Sequence, residues 1–436
     1  MLTTAVTRAC LLVANPDSSH ACPVPASMID RSGVNGSTGR RALPSWARWN
    51  DNLDQRYTLG VEEEVMLLEP VHWSLAQSSD TVLTSLSYRL SRQASPETHA
   101  AVVELATGVH DDVNGIVAEL GWLRNRLGHE LGTMGLAAAC AGTHPLAVWD
   151  ETVVSRAARY RRVVESMRVL ARREPTMALH VHVGMPDPEE AIRVFNGLRR
   201  HVPVLLALSA NSPFWQARDT GFASARTLIF QAFPRSGLSR SFSGYADYVE
   251  AVDPLVTSDA VPDPSFLWWD VRLQPALGTV EVRVMDAQTT VGEVAPLVAL
   301  IQSLARLELE DDSSSATPGA EVLAESRFLA ARDGIDACLI DPAAGRLVPA
   351  REIVDGLVTA CRPHARALGC LGALERVQRL LLANGAKRQR TVAARSGRLE
   401  DLVASLAQQF RPSAARSFAE RGPYRDPNRT TTERSG

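Results

Sequence analysis

Apolar and polar residues alternate along three short stretches of the chain, and this period of two predicts β-strands. The stretches are residues 57–68, 177–183 and 279–285. Side chains two apart on a strand point the same way. Each stretch would therefore carry an apolar face for a core and a second face with ionisable groups.

A period of three to four apolar residues predicts helices elsewhere. The helical stretches are residues 114–132, 154–172, 291–309, 320–333 and 351–382. Together with the strands they predict a mixed α+β fold.

The two ends of the chain lack sustained periodicity. Residues 1–55 are rich in Ser, Pro, Asn and Gly, which favours a loosely ordered N-terminal extension. We predict a catalytic domain over residues 56–395, followed by a short helix and polar tail at residues 396–436. An acidic, serine-rich stretch at residues 308–315 predicts an exposed loop.

Composition is typical of a soluble globular chain. Of 436 residues, 45% are hydrophobic and 22% charged, which excludes a disordered, collagenous or disulfide-scaffold protein. The net charge is −3, so no nucleic-acid partner is expected. No apolar run approaches the roughly 18 residues that a membrane helix requires. The six cysteines form no C-x-x-C pair, which predicts reduced thiols in a cytoplasmic protein.

The ionisable strand faces carry the candidate chemistry. Taken singly, a Glu-x-Glu, His-x-His or Glu-x-Arg pattern more often marks a solvated face, two hydrogen-bonded residues or a local ion pair. Three such patterns on one sheet face would bring like charges together, and these would repel one another unless cations or anionic ligands lay between them. Such a face suits Mg²⁺ with a polyphosphate. A neighbouring strand adds Glu104. The three pairs are Glu62 and Glu64, His180 and His182, and Glu281 and Arg283.

Absent motifs narrow the metal and nucleotide chemistry. The chain has no H-E-x-x-H, cysteine-pair zinc spacing, P-loop or G-x-S-x-G elbow. Carboxylates outnumber imidazoles at the candidate site, which favours Mg²⁺ or Mn²⁺ over Zn²⁺.

A series of short motifs resembles one known family, the bacterial type 2 glutamate–cysteine ligases of the carboxylate–amine ligase branch. The resemblance covers residues 57–390. It is carried by residues 59–64 (LGVEEE), 142–145 (GTHP), 180–184 (HVHVG), 207–215 (ALSANSPFW), 218–221 (RDTG), 268–272 (WWDVR), 281–286 (EVRVMD) and 385–390 (GAKRQR). Departures from the family pattern are Ala178 in place of Gly and Leu273 in place of Pro.

The resemblance implies a glutamine-synthetase-like fold, in which a curved antiparallel sheet lines an ATP–metal site and helices pack on its outer face. It implies that ATP activates a carboxylate as an acyl phosphate, which an amine then attacks, with L-glutamate and L-cysteine as the expected pair. Such enzymes are commonly homo-oligomers, so a homodimer is compatible with the resemblance. The implied metal ligands are Glu62, Glu64, Glu104, His180 and Glu281.

Further site residues follow from the same resemblance and from charge. His182 and Arg283 are expected to contact phosphate in catalysis, and Arg388 to bind nucleotide. Guanidinium groups match substrate carboxylates, although each arginine taken singly is equally well explained as a structural ion pair. Asn211 is equally well explained by a turn before Pro213. The predicted substrate-binding residues are Arg218, Arg226, Arg272 and Asn211.

Two other functions stay open at this point. Phosphoryl transfer to a guanidinium acceptor on the same fold would make ADP without an amide product. A non-catalytic binding protein could keep the fold, although intact carboxylates, histidines and arginine argue against decay of a site. The sequence leaves the true acid and amine undetermined.

Overall fold

This computed structural model describes residues 43–51, 56–173, 175–311, 318–341 and 344–411. Most of the predicted N-terminal extension and of the polar C-terminal tail lies outside these residues. Every helix in the described part is too short or too polar to cross a lipid bilayer.

One antiparallel sheet organises the fold. The strands are β1 (Leu59–Glu69), β2 (Ser74–Leu75), β3 (Ala94–Pro96), β4 (Val102–Ala106), β5 (Ala137–Ala139), β6 (Ala178–Gly184), β7 (Phe214–Trp215), β8 (Arg218–Asp219), β9 (Ser236–Gly237), β10 (Trp268–Trp269), β11 (Val271–Gln274), β12 (Thr279–Asp286), β13 (Cys338–Asp341) and β14 (Arg346–Pro349). The strand order of the main sheet is β11-β12-β6-β1-β4-β3, and β2 and β5 also pair with the far half of β1.

Helices cover one face of this sheet. The helices are α1 (Ser79–Ser85), α2 (Tyr88–Ser91), α3 (Val113–Thr133), α4 (Ala158–Met167), α5 (Pro188–Ser209), α6 (Ala225–Phe230), α7 (Tyr245–Thr257), α8 (Val291–Glu310), α9 (Ala320–Asp333), α10 (Ala350–Ala367), α11 (Leu371–Leu374), α12 (Val377–Leu382), α13 (Gly385–Ser396) and α14 (Leu399–Phe410). Helices α3, α5 and α8 pack against the apolar strand side chains, and the main hydrophobic core lies between these layers. The predicted α+β class is confirmed.

Alternation within the strands explains why only one face is covered. Val61, Val181 and Val282 share the helix-facing side and are at most 1% exposed, because burying branched apolar side chains supplies the driving force for packing. The alternate residues of the same strands point to the opposite face. That face carries the ionisable groups.

Two predicted helices differ from the structure. The helix expected at residues 154–172 is α4 followed by a 3-10 turn at Arg168–Arg172, because Arg168 has a φ of 54°, which an α-helix cannot continue. The stretch 351–382 forms three helices, α10 to α12, and the first break follows α10, where Gly369 adopts a φ of +71°.

The described end of the predicted extension packs on the domain. The Trp49 indole N–H donates to the Met185 carbonyl oxygen at 2.8 Å, and that of Trp46 to Asp253 at 3.2 Å. At the other end, α14 buries Leu402, Leu406 and Phe410 in the main core. The division at residues 55 and 395 stays a prediction.

Candidate functional site

Strand register brings the ionisable residues together on the uncovered face. Glu62 lies opposite His180, and Glu64 opposite Glu104. His182 lies opposite Glu281. Directly opposed residues on antiparallel strands project from the same face, so the ionisable residues of four neighbouring strands converge there.

Two groups of three side chains have the spacing of metal ligands. One group is Glu62, His180 and Glu281, and the other is Glu64, Glu104 and His180, with potential ligand atoms within 4.8 Å of one another in each. His180 lies between the groups, with Nδ1 3.1 Å from a Glu62 oxygen and Nε2 3.9 Å from a Glu64 oxygen. All five predicted metal ligands therefore meet.

The protonation of His180 suits a ligand. Burial, helped by the nearby Arg283 guanidinium, lowers the pKa of His180 to about 4. The imidazole is therefore neutral at pH 7, with one lone pair for a cation and one N–H for a neighbouring carboxylate.

The carboxylates need positive charge between them. Burial, and then the charge of Glu62, raises the pKa of Glu104 well above its ordinary value. The pKa of Glu64 is raised mainly by burial. Hard oxygen ligands under mutual repulsion are the donor set that Mg²⁺ or Mn²⁺ requires, so these residues fit a divalent cation.

Glu97 joins this cluster and was not predicted. It follows β3 and lines the same cleft, and burial together with the charge of Glu64 raises the pKa of Glu97 to about 7. One Glu97 oxygen accepts from the Thr98 N–H at 2.9 Å. Its spacing of seven residues from Glu104 gave no periodic signal, because a loop turns between β3 and β4.

Two arginines hold Glu281. The Arg272 Nε and Nη2 donate to the Glu281 carboxylate at 2.9 and 3.2 Å, and Arg283 also donates to it. Burial would raise the pKa of Glu281, but these guanidinium groups, Arg272 foremost, lower it. An irregularity in the β12 register follows Val282, and Arg283 lines the cleft beside Glu281.

His182 lies beside the first group of ligands. Its Nδ1 is 3.0 Å from the Thr279 hydroxyl, and its Nε2 is 3.4 Å from a Glu62 oxygen. Burial would lower the pKa of His182, but Glu281 and Glu62 outweigh burial and raise it. The ring can therefore carry a proton next to the carboxylates.

Arg226 reaches the cleft from α6. Its Nη1 donates to the Val284 carbonyl oxygen at 3.1 Å and lies 3.8 Å from Asp286. Its buried Nε has no hydrogen-bond partner among the described residues. A buried donor without a partner is costly, which makes Arg226 a good candidate for an anionic ligand.

The cleft above this face has a volume of about 490 Å³. Its polar lining includes four glutamates, His180 and four arginines. Its apolar lining comes largely from α4, the 3-10 turn after it and the segments around α6 and β10. The apolar lining residues include Tyr160, Val163, Met167, Ala171, Phe230, Phe233 and Trp268.

His182 and Glu281 belong to the cluster without lining the cleft, and three other predicted site residues lie outside the cluster. Arg218 is exposed in the β7–β8 hairpin, and Arg388 pairs with Glu293 and donates to the Ala383 carbonyl. Asn211 is fully buried and spans two segments, donating to the Ala287 carbonyl oxygen at 2.7 Å and accepting from Gln389 at 2.8 Å. Local sequence could not reveal these distant partners.

The motif at residues 142–145 has a structural role in the described part of the chain. A Cβ on Gly142 would lie 2.6 Å from the Asp286 carboxyl carbon, so glycine permits close packing there. The His144 Nε2 is 2.9 Å from the Trp73 carbonyl oxygen, and its Nδ1 accepts from the Ala147 N–H at 3.0 Å. Burial lowers the pKa of His144 to about 4.

A model of glutamate-cysteine ligase family 2 matches residues 58–408. The chain belongs to this family. The resemblance of the motifs is confirmed, and membership assigns the chain to a family of ligases.

Two similar proteins agree with this assignment. A Rubrobacter xylanophilus protein, named as a candidate glutamate–cysteine ligase 2-1, is 40% identical over 82% of this chain and 96% of its own length. A Thermobifida fusca protein, named as a candidate glutamate–cysteine ligase 2, is 34% identical over 87% of this chain and 96% of its own length.

Two solved structures share the fold. The Francisella tularensis glutamate–cysteine ligase in complex with AMP matches with a TM-score of 0.60 and 12% identity, over 82% of this chain and 90% of that one. A bifunctional glutathione synthetase from Pasteurella multocida matches with a TM-score of 0.61 and 14% identity, over 82% of this chain and 53% of that one. The expected glutamine-synthetase-like fold is confirmed.

Proposed function

We propose that this protein joins L-glutamate to L-cysteine, or to another amine, through ATP-dependent activation of the glutamate carboxylate. The observation that carries the proposal is the pair of carboxylate–histidine groups beside Arg226, Arg272 and Arg283 in one cleft of a glutamate-cysteine ligase family 2 chain. Nucleotide use is supported by the AMP in the similarly folded Francisella tularensis enzyme.

Amide formation from a carboxylate and an amine needs an activated acid. Attack of the carboxylate oxygen on the γ-phosphorus of ATP forms an acyl phosphate and releases ADP. The amine then attacks the acyl carbon, and phosphate leaves as the amide forms. Bringing these groups together and excluding water supplies much of the rate.

The ionisable residues of this cluster have distinct roles in the scheme. Glu62, Glu64, Glu97, Glu104, His180 and Glu281 would hold divalent cations. A bound Mg²⁺ would supply positive charge for the phosphoryl group. Arg283 and His182 donate hydrogen bonds to phosphate oxygens, because charge on these oxygens must be balanced during transfer.

Arg226 binds a carboxylate of the acid substrate. Its unpartnered Nε suits an amino-acid carboxylate. Arg272 is already committed to Glu281 and to the Ser265 carbonyl oxygen at 2.7 Å, so it positions a metal-binding carboxylate.

The test is phosphate release from ATP and Mg²⁺ with glutamate and each amino acid in turn, with the product identified by mass spectrometry. We expect release only with both glutamate and an amine, and an amide of matching mass. Glu281→Gln should abolish release, whereas Glu375→Gln, at an exposed position outside the cleft, should not change it. ADP with a phosphorylated guanidinium compound and no amide would refute the proposal in favour of phosphotransfer.

A further inference from the structure

The segment that covers the cleft is rich in arginine. Between residues 156 and 173, seven of 18 residues are arginines and only Glu165 is an acid among those that the structure describes. The whole chain, by contrast, has a net charge of −3. The six exposed arginines, here called the arginine strip, are Arg156, Arg159, Arg161, Arg162, Arg168 and Arg172.

The fold of α4 explains why these side chains face outward. Tyr160, Val163 and Met167 form the inner face of α4 and pack on Phe266 in a small core of their own. Arg161 and Arg162 lie on the exposed side of this amphipathic helix, and Arg168 and Arg172 lie in the 3-10 turn after it. Arg156 precedes α4, and Arg159 is exposed at the edge of the cleft.

Among the described residues, few side chains or backbone groups contact the arginines of the strip. Arg161 donates to the Arg156 carbonyl oxygen at 2.7 Å, and Arg159 lies 5.0 Å from the Phe266 ring centroid. Within the described ranges, no carboxylate forms an ion pair with any of the six. Unneutralised like charges at this density repel one another, which favours an anionic partner.

The length of the strip indicates an extended partner. Ten residues of α-helix and five of 3-10 helix have a combined length of about 25 Å. An amino acid or a triphosphate group is too short to contact all of it. An extended peptide of about seven residues has the required length.

The chain's own terminal segments do not complement the strip. Residues 1–42 contain four arginines and two acids, and residues 412–436 contain five arginines and three acids. Both are therefore net basic. Neither segment is the occupant that the strip's charge favours.

A peptide fits the strip better than a nucleic acid or an anionic membrane. Val169 is 63% exposed between Arg168 and Arg172, so the surface offers apolar contact as well as charge. Arg159 lines the cleft, so the strip leads into the site. The choice also rests on the proposed function, because amide formation uses carboxylates and amines, which peptides carry.

We infer that the arginine strip binds an acidic peptide segment, which lies along α4 and reaches the cleft. Such binding is electrostatic, so it should weaken as salt screens the charges.

The experiment measures fluorescence anisotropy of a labelled octaglutamate peptide with the full chain, and of octaglutamine as the neutral probe. The test variant is Arg161→Gln, Arg162→Gln, Arg168→Gln and Arg172→Gln together. The matched control removes four exposed arginines elsewhere, through Arg362→Gln, Arg376→Gln, Arg379→Gln and Arg395→Gln. Circular dichroism checks the fold of both.

We expect the protein to bind octaglutamate and not octaglutamine. The test variant should bind at least tenfold more weakly and the control within about twofold of the parent. No binding by the parent protein, or equal losses in the two variants, would overturn the inference. Preferential displacement of the peptide by duplex DNA or phosphatidylserine vesicles would also overturn it.

Phosphate release with free glutamate and amine is measured on the same samples. Phosphate release without peptide binding would reject the inference about the arginine strip and leave the ligase proposal in place. Strip-dependent binding without release under any condition would reject the ligase proposal and leave the binding surface supported.

Discussion

Arg124 and Glu63 form a fully buried ion pair on the helix-facing side of the sheet, directly behind the candidate metal ligands Glu62 and Glu64. The Arg124 Nε donates to Glu63 at 2.8 Å, and both side chains have no solvent exposure. Arg124 also donates to the carbonyl oxygens of Gln288, Thr289 and Phe410. One side chain thus joins β1, the segment after β12 and the end of α14.

Replacing Arg124 tests this arrangement. Arg124→Met leaves Glu63 buried without its partner, so the free energy of unfolding should fall by about 3–5 kcal/mol in urea denaturation. Arg124→Met with Glu63→Leu should recover a large part of the loss. Arg126→Ala, which removes the partly exposed pair with Glu130, should cost no more than about 1 kcal/mol. Equal losses for Arg124→Met and Arg126→Ala would contradict the assignment.

Metal binding should depend on His180 more broadly than on Glu104. His180 contacts both candidate groups, whereas Glu104 belongs to one of them. We expect His180→Ala to weaken each Mn²⁺-binding step that calorimetry detects. The affinity should fall by at least about 10–100-fold, which is the loss expected for an outer-shell partner of a metal ligand. Glu104→Gln should weaken one event and spare the other. A Glu104→Gln protein that loses all binding would show that the two groups do not act separately.

His144 should make the fold sensitive to acid. Its pKa is lowered to about 4 by burial, against about 6.5 when unfolded. Between these values the unfolded chain binds a proton that the folded chain excludes, so stability is present above pH 6.5 and is lost as the pH falls toward 4. His144→Gln should be less stable than the parent at pH 7.5, and the gap should narrow by about 2 kcal/mol at pH 5. Urea midpoints at both pH values provide the measurement. His72→Gln, at an exposed position, is the matched control for loss of an imidazole.

Asn211 should act on stability and not on substrate affinity. Its side chain donates to the Ala287 carbonyl oxygen and accepts from Gln389 in a buried setting. Asn211→Ala removes the donor to the buried Ala287 carbonyl oxygen and one of the two acceptors of the Gln389 amide, so the free energy of unfolding should fall by about 1–3 kcal/mol. The KM for each amino-acid substrate should not change. A raised KM with unaltered stability would instead support the prediction from sequence that Asn211 contacts substrate.

The sequence predicted the site best where the signal was local. Glu62, His180 and Glu281 each lie on a strand whose alternation also fixes the direction of its side chains. Neighbouring antiparallel strands then bring these directions together. Alternation predicted the strands and the shared direction of these side chains, whereas the family resemblance implied the detailed fold and the roles of the residues as metal ligands.

Long-range contacts account for what the sequence did not predict. Glu97 reaches the cluster from a loop beyond β3, and Arg388 pairs with Glu293, nearly 100 residues earlier. Neither relationship leaves a periodic trace. Likewise, alternation places Glu63 on the opposite face from Glu62 and Glu64, but only the position of Arg124 shows that Glu63 forms a buried ion pair.

The small core under α4 has a consequence for access to the cleft. Its buried members are Tyr160, Val163, Met167, Ala171, Val261 and Phe266, and they are separate from the main core. Segments held by few buried contacts open at a lower free energy than the body of a protein. Backbone amides of α4 should therefore exchange with deuterium faster than those of α5 or α8, a comparison that mass spectrometry can make. The cleft could then admit and release its contents through a local fluctuation, while the strands that carry its carboxylates remain paired.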